Sequence, residues 1–212
     1  MVAQVKICGL TAPDQVRAAV DAGASYLGLV FFPRSPRAVD APTAARLCAE
    51  IPVGIASVGL FVNPTDALLD EVLAKVPLDI VQLHGDETPD RVAEIRAVTG
   101  LPVMKAIGIA GPDDLPQLLD HGTVADLLLV DAKPGPGADL PGGNGLAFDW
   151  RLLQGRRFLR PWLLAGGLTP ANVSEAVRLT RAPGVDVSSG VESAPGVKDA
   201  ALIRQFVAAA RD

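Results

Sequence analysis

Short apolar runs rich in branched residues alternate along the chain with stretches whose apolar positions fall at helical spacing. The runs Val2–Ile7, Tyr26–Phe31, Ala56–Phe61, Ile80–Leu83, Pro102–Ala106, Leu127–Val130, Trp162–Ala165 and Val185–Val187 predict strands. The segment Thr11-Ala-Pro-Asp-Gln15 predicts a helix start, with Thr11 as cap, a proline in the first turn, and Val16, Ala19 and Val20 along one face. Asn63-Pro-Thr-Asp66 opens another helix, with Leu68, Leu69, Val72, Leu73 and Val76 as its stripe. Glu87-Thr-Pro-Asp90 and Leu168-Thr-Pro-Ala171 repeat the device, and Lys198–Ala210 closes the chain with Ala201, Leu202, Phe206 and Val207 at helical spacing.

Strands alternating with helices pair in parallel, with the helices outside. Eight such units in 212 residues predict a single closed (β/α)₈ TIM barrel spanning residues 1–212. A doubly wound open sheet is the alternative. It is weakened by the lack of a Gly-x-Gly-x-x-Gly after the first strand and of a Gly-Lys-Ser/Thr phosphate loop.

Composition removes other classes. The apolar share of 49% suits a large core and excludes a disordered chain. A net charge of −5 without a basic block, and 4% aromatics, argue against nucleic-acid or anionic-membrane partners. The two cysteines, Cys8 and Cys48, are too few for a disulfide framework or zinc cluster and suit a reduced, cytoplasmic setting. No apolar run reaches the roughly 20 residues of a membrane helix, and no signal peptide is read at the start. Whether the barrel is a monomer or a homodimer stays open.

Barrel chemistry gathers at the C-terminal ends of the strands, and residues two apart share a face. In Val5-Lys6-Ile7-Cys8, Lys6 and Cys8 turn inward together; in Val81-Gln82-Leu83-His84, Gln82 and His84 do so. Asp131 follows the sixth apolar run, and Asp186 lies between two outward valines. Lys105, between Met104 and Ala106, is expected to join them, so that two lysines face two aspartates. For Lys6 and Lys105 a self-neutralising ionic plug is as good a reading as function.

Cys8 fits no ionic plug. Beside an ammonium it is expected to have a lowered pKa, so that it and a carboxylic acid across the pocket can serve as base and acid. Cys48 lies in a helical pattern and reads as packing, and His121 as a helix C-terminal residue. Two histidines leave zinc ligation without enough candidates. The turns Ala165-Gly-Gly-Leu168 and Ser188-Ser-Gly-Val191 end the last two strands, where many barrels hold phosphate. Arg34 and Arg37 sit in a proline-stiffened loop after the second strand, suited to a carboxylate or phosphate. The Gly/Pro-rich segment 132–147 directly follows a strand end and reads as a functional loop.

These residues carry a resemblance. The stretches Lys6-Ile-Cys-Gly-Leu10, Phe32-Pro-Arg-Ser-Pro-Arg37, Gly59-Leu-Phe-Val-Asn63, Val81-Gln-Leu-His-Gly85, Leu129-Val-Asp131, Gly142-Gly-Asn-Gly145 with Phe148-Asp-Trp150, Ala165-Gly-Gly-Leu168 and Gly184-Val-Asp-Val-Ser-Ser-Gly-Val-Glu192 occur in order over nearly the whole chain. Together they resemble the phosphoribosylanthranilate isomerase family. The resemblance implies a ribulose-phosphate-binding TIM barrel and an Amadori rearrangement of N-(5-phospho-β-D-ribosyl)anthranilate in tryptophan biosynthesis, with no metal or other cofactor.

It further implies Asp131 as general acid and Cys8 as general base. Arg37 would hold the anthranilate carboxylate, His84 and Asp186 would be pocket residues, and Gly166, Gly167, Ser189 and Gly190 would form the phosphate turns. The family often has lysine at Arg34, an aromatic at Ala38 and other residues at Asn144 and Leu146. Another phosphosugar barrel enzyme and a non-catalytic phosphate-ligand barrel are the rival readings.

Overall fold

The computed structural model describes residues 3–133, 135, 142 and 145–212. Eight parallel strands close into a barrel in chain order: β1 Gln4–Cys8, β2 Tyr26–Val30, β3 Ala56–Phe61, β4 Ile80–Leu83, β5 Val103–Ile109, β6 Leu127–Ala132, β7 Trp162–Leu164 and β8 Gly184–Val187. β1 pairs with both β2 and β8, which removes every open edge. Around them stand α1 Pro13–Asp21, α2 Ala41–Cys48, α3 Asp66–Leu73, α4 Pro89–Thr99, α5 Pro116–Gly122, α6 Val173–Thr180 and α7 Ala200–Ala209.

Local chemistry sets most helix starts. Asp40, Thr65, Thr88 and Asp199 accept hydrogen bonds from first-turn amides of α2, α3, α4 and α7. Some expectations differ: Thr169 does not cap α6, which starts at Val173 after Asn172 without a side-chain cap, and Lys198 lies before the last helix, which starts at Ala200. Thr11 does not cap α1; Ala12 holds that position, while the Thr11 amide donates to Gln15 Oε1 at 2.9 Å. The sixth connection carries a 3₁₀ turn, Trp150–Leu153, where an eighth helix was expected, and the rest of that loop lies partly outside the described residues.

The strands sort their side chains as the two-residue period requires. Val5, Ile7, Leu83, Leu128 and Val185 join the large cluster between barrel and helices. Val58, Ile80, Met104, Ala106, Leu129, Leu163 and Ala165 form a second cluster, the apolar filling inside the barrel. Fully burying such a side chain stabilises by about 1.5–3 kcal/mol. Above this filling, Lys6, Gln82, Asp131 and Asp186 continue the inward rows. A short antiparallel pair, β9 Glu192–Ala194 and β10 Val197–Lys198, follows β8 and brings two charged residues back toward the mouth.

Candidate active site

Cys8 is the last residue of β1, and Asp131 the penultimate residue of β6. Both side chains line one pocket, with His84 after β4, Asp186 on β8, and the turns Gly166–Gly167 and Ser189–Gly190. Val30, Phe32, Leu60 and Val62 supply an apolar wall, and Arg37 and Ser35 stand at the same pocket. The inward rows of β1, β4, β6 and β8 thus converge as the sequence predicts.

Glycine makes room for the sulfur. Gly28 pairs with Cys8 across β1 and β2, and a Cβ there would come 2.8 Å from the Cys8 Sγ. Beneath the thiol, Lys6 is fully buried and donates to Asp186 Oδ1 at 2.8 Å. Burial alone would lower the Lys6 pKa; attraction to Asp186, then to Cys8, with hydrogen bonds to both, outweighs it and holds the ammonium charged.

Lys6 draws the Cys8 pKa down as expected, but the net lowering expected of the thiol is not found. Burial is the largest influence and raises it; Lys6 pulls down, but Asp186 pushes up again, and the net shift is upward from 9.0. Asp186 already neutralises the lysine, so the thiol rests protonated in the free site. Replacing Asp186 by asparagine removes one charge that disfavours thiolate and leaves the ammonium unbalanced. Asp186→Asn is therefore expected to move Cys8 alkylation to lower pH, and Lys6→Met to move it higher. Mass spectrometry of the Cys8 peptide after timed alkylation across pH reads both shifts, and coincident profiles for the three proteins would refute the balance. Cys48 packs at the end of α2, and burial pushes its thiol up to about 11.

Asp131 faces His84, with Oδ2 3.2 Å from Nε2, while its Oδ1 accepts from the Ala132 amide at 2.8 Å. His84 Nδ1 lies 3.0 Å from the Gln82 side-chain nitrogen. Gly142, from the loop after β6, lies directly over this pair: a Cβ there would come 2.5 Å from His84 Nε2 and 2.8 Å from Asp131 Oδ2. Of the loop positions singled out above, Gly143 and Asn144 fall outside the described residues.

The glycine turns are built for close backbone approach. Gly166 and Gly167 have φ of 86° and 63°, the left-handed region that favours glycine. A Cβ at Gly190 would run into the Leu168 carbonyl, so the turns after β7 and β8 touch through their main chains. Among the described residues the Gly166 and Gly167 amides have no backbone acceptor, which leaves their N–H groups for an anion. The backbone of Leu146 and Ala147 lies against Gly167.

Two expected placements change. Lys105 stands on the opposite face of β5 from Met104 and Ala106. Its ammonium donates to the Gly85 carbonyl at 2.6 Å and to Glu87 at 2.7 Å, so it does not face an aspartate. Arg34 is exposed, with its guanidinium 5.1 Å from the Phe32 ring centre. Arg37 is buried, and its Nε and Nη2 donate to the two oxygens of Glu192 at 2.7 and 2.9 Å.

Glu192 and Lys198 were given no role by sequence reasoning, and Ser188 only a place in the turn after the last strand. Lys198 donates to Glu192, to the Ser188 carbonyl and to Ser188 Oγ, and Ser188 Oγ donates to the Cys8 carbonyl. Burial opposes the Glu192 charge, but Arg37 and Lys198 hold its pKa below the usual value. The inward parity of Ser188 with Asp186 was the one available signal. Glu192 and Lys198 arrive through the β9–β10 hairpin, which no periodicity marks.

The sequence model of the family described as N-(5'phosphoribosyl)anthranilate (PRA) isomerase matches residues 5–209. A Paracoccus denitrificans protein named N-(5'-phosphoribosyl)anthranilate isomerase is 70% identical over 210 residues, covering 99% of this chain and 98% of that one. A namesake from Cereibacter sphaeroides is 59% identical over 208 residues, covering 98% of each. Among solved structures, phosphoribosyl anthranilate isomerase from Thermotoga maritima superposes with a TM-score of 0.88 at 36% identity, over 98% of both chains. Another isomerase structure, at TM-score 0.83, 34% identity and 98% coverage of both chains, holds reduced 1-(o-carboxyphenylamino)-1-deoxyribulose 5-phosphate.

Proposed function

This chain belongs to the N-(5'-phosphoribosyl)anthranilate isomerase family and is an isomerase of tryptophan biosynthesis; from that premise we propose how its residues divide the reaction. The observation that carries the assignment is the delivery of one thiol and one carboxyl, from β1 and β6, into a pocket bordered by the glycine turns. The phosphate of N-(5-phospho-β-D-ribosyl)anthranilate sits on the amides of Gly166, Gly167, Ser189 and Gly190. Its aromatic ring packs on Phe32, Leu60 and Val62. Its carboxylate meets the Arg37 Nη1, the guanidinium nitrogen that Glu192 leaves free.

Asp131 gives its proton to the furanose ring oxygen. The C1–O bond breaks, and the anthranilate nitrogen lone pair forms the C1=N bond of a Schiff base. Cys8, as thiolate, removes the C2 proton, and the C2–H electrons form C1=C2 while the nitrogen recovers its pair. The enolamine tautomerises, with C1 gaining a proton and the C2 hydroxyl losing one, to the ketone 1-(2-carboxyphenylamino)-1-deoxy-D-ribulose 5-phosphate. C1 is reduced and C2 oxidised within one molecule, so no metal or redox cofactor enters the scheme. Asp186 sets the charge beneath Cys8 through Lys6, and His84 orients Asp131. The scheme treats residues 1–212 as one domain and needs Cys8 free, as a reduced cytoplasm would keep it.

A fluorescence assay following loss of freshly made phosphoribosylanthranilate tests the assignment, with Cys8 and Asp131 variants compared with wild type. Near-wild-type turnover by either variant removes the role given to that residue. Arg37→Ala is expected to raise KM by about 10- to 100-fold with a smaller change in kcat, since the carboxylate contact is made before and throughout the chemistry. A fall confined to kcat would mean that Arg37 serves the reacting carbons.

A further inference from the structure

Gln82 is fully buried in β4, on the inward row of the barrel, beside Leu60 of β3 and Met104 of β5 in the strand register. Among the described residues its amide makes one hydrogen bond, from Nε2 to His84 Nδ1, while its Oε1 is buried without a partner. A methionine or leucine would fill such a place without stranding an acceptor. A half-satisfied amide in an apolar layer is the kind of local cost that folds retain for function.

We propose that Gln82 is a positioning residue: by donating to Nδ1 of His84 it fixes that ring's proton on Nε2, so that an N–H is aimed at the carboxyl of Asp131. A neutral imidazole has one N–H, and an amide N–H can bond only to a bare ring nitrogen. With Nδ1 bare, Nε2 carries the hydrogen, and it stands 3.2 Å from Asp131 Oδ2. The Ala132 amide holds the other carboxyl oxygen, so Asp131 is gripped at both oxygens by N–H groups. As Asp131 releases its proton to the substrate, these two donors stabilise the carboxylate that remains. In the opposite tautomer a lone pair would face that new charge. Gly142, with no side chain, lies over the pair without wedging it apart.

This rests on Asp131 being the general acid, which Asp131→Asn kinetics test separately. The tautomer is read directly. The chain has two histidines, and ¹⁵N-histidine NMR at one fixed pH, with His121→Gln to separate their signals, reports the protonation of each ring nitrogen of His84. The wild type is expected to show protonated Nε2 and bare Nδ1. Gln82→Met should lose that bias and lower kcat by about 10- to 100-fold, with KM nearly unchanged and a melting temperature equal to or above wild type.

A more stable and slower enzyme with an altered tautomer is an outcome that a packing role for Gln82 would not produce. A proton on Nδ1 in the wild type, in a neutral or a doubly protonated ring, overturns the proposal. So does a Gln82→Met enzyme that keeps its rate, or one that slows with the tautomer unaltered. Should that variant fail to fold, the wild-type spectrum alone decides.

Discussion

Replacing Cys8 by alanine should lower kcat by about 10²–10⁴, the usual worth of a positioned general base, with KM changed far less. The thiol is the one group on β1 that reaches the pocket and can accept a proton, since its inward companion Lys6 is held protonated by Asp186. Alanine keeps the strand, the Lys6–Asp186 pair and the glycine turns, so binding should survive while proton removal from C2 does not. Because burial raises the thiol pKa, the wild-type dependence on thiolate should appear on the alkaline side of 9.0, with the rate rising as pH climbs toward that raised value. The fluorescence assay at several pH values checks both statements. A Cys8→Ala enzyme within a few-fold of wild type would give the base to another group.

Replacing Asp131 by asparagine should cost a similar factor, about 10²–10⁴ in kcat. Asparagine has nearly the same shape and keeps one oxygen, which can accept from either the His84 or the Ala132 N–H but not from both, and it holds no acidic proton for the ring oxygen. Ring opening should therefore fail while a product analogue still binds. Calorimetric titration with such an analogue separates the two: affinity near wild type with lost turnover is the expected pattern. Lost affinity with intact turnover per bound substrate would make Asp131 a binding residue.

Much of this site was legible in the residues themselves. The two-residue period placed Lys6, Cys8, Gln82, His84 and Asp186 inside, because one outward apolar row per strand leaves the other row no alternative, and Asp131 was marked by its place at the end of the sixth apolar run. The same rule, loosely applied, misplaced Lys105: its neighbours Met104 and Ala106 are themselves the inward row, and the alternation sends the lysine outward to Glu87.

Thr11 looked like a cap because a proline follows in the first turn, as after the Thr88 that does cap α4, but Gln15 supplies the oxygen that its amide needs. The direction of the Cys8 shift was out of reach because it depends first on how completely the fold buries the thiol, and then on the balance of Lys6 against Asp186 across the barrel closure. The Arg37–Glu192–Lys198 cluster was hidden for a related reason: it is assembled by two loops far apart in the chain.

That closure has a consequence for how the enzyme comes into being. The Asp186 carboxylate that balances Lys6, and the Ser188 hydroxyl that holds the Cys8 carbonyl, each lie 180 residues downstream of their partners. During synthesis the sulfur emerges from the ribosome long before the Asp186 and Ser188 that complete its surroundings. A polypeptide ended before β8 would carry both reactive side chains but lack the Asp186 charge and the Ser188 hydroxyl beside Cys8, so the complete site cannot form until the barrel closes.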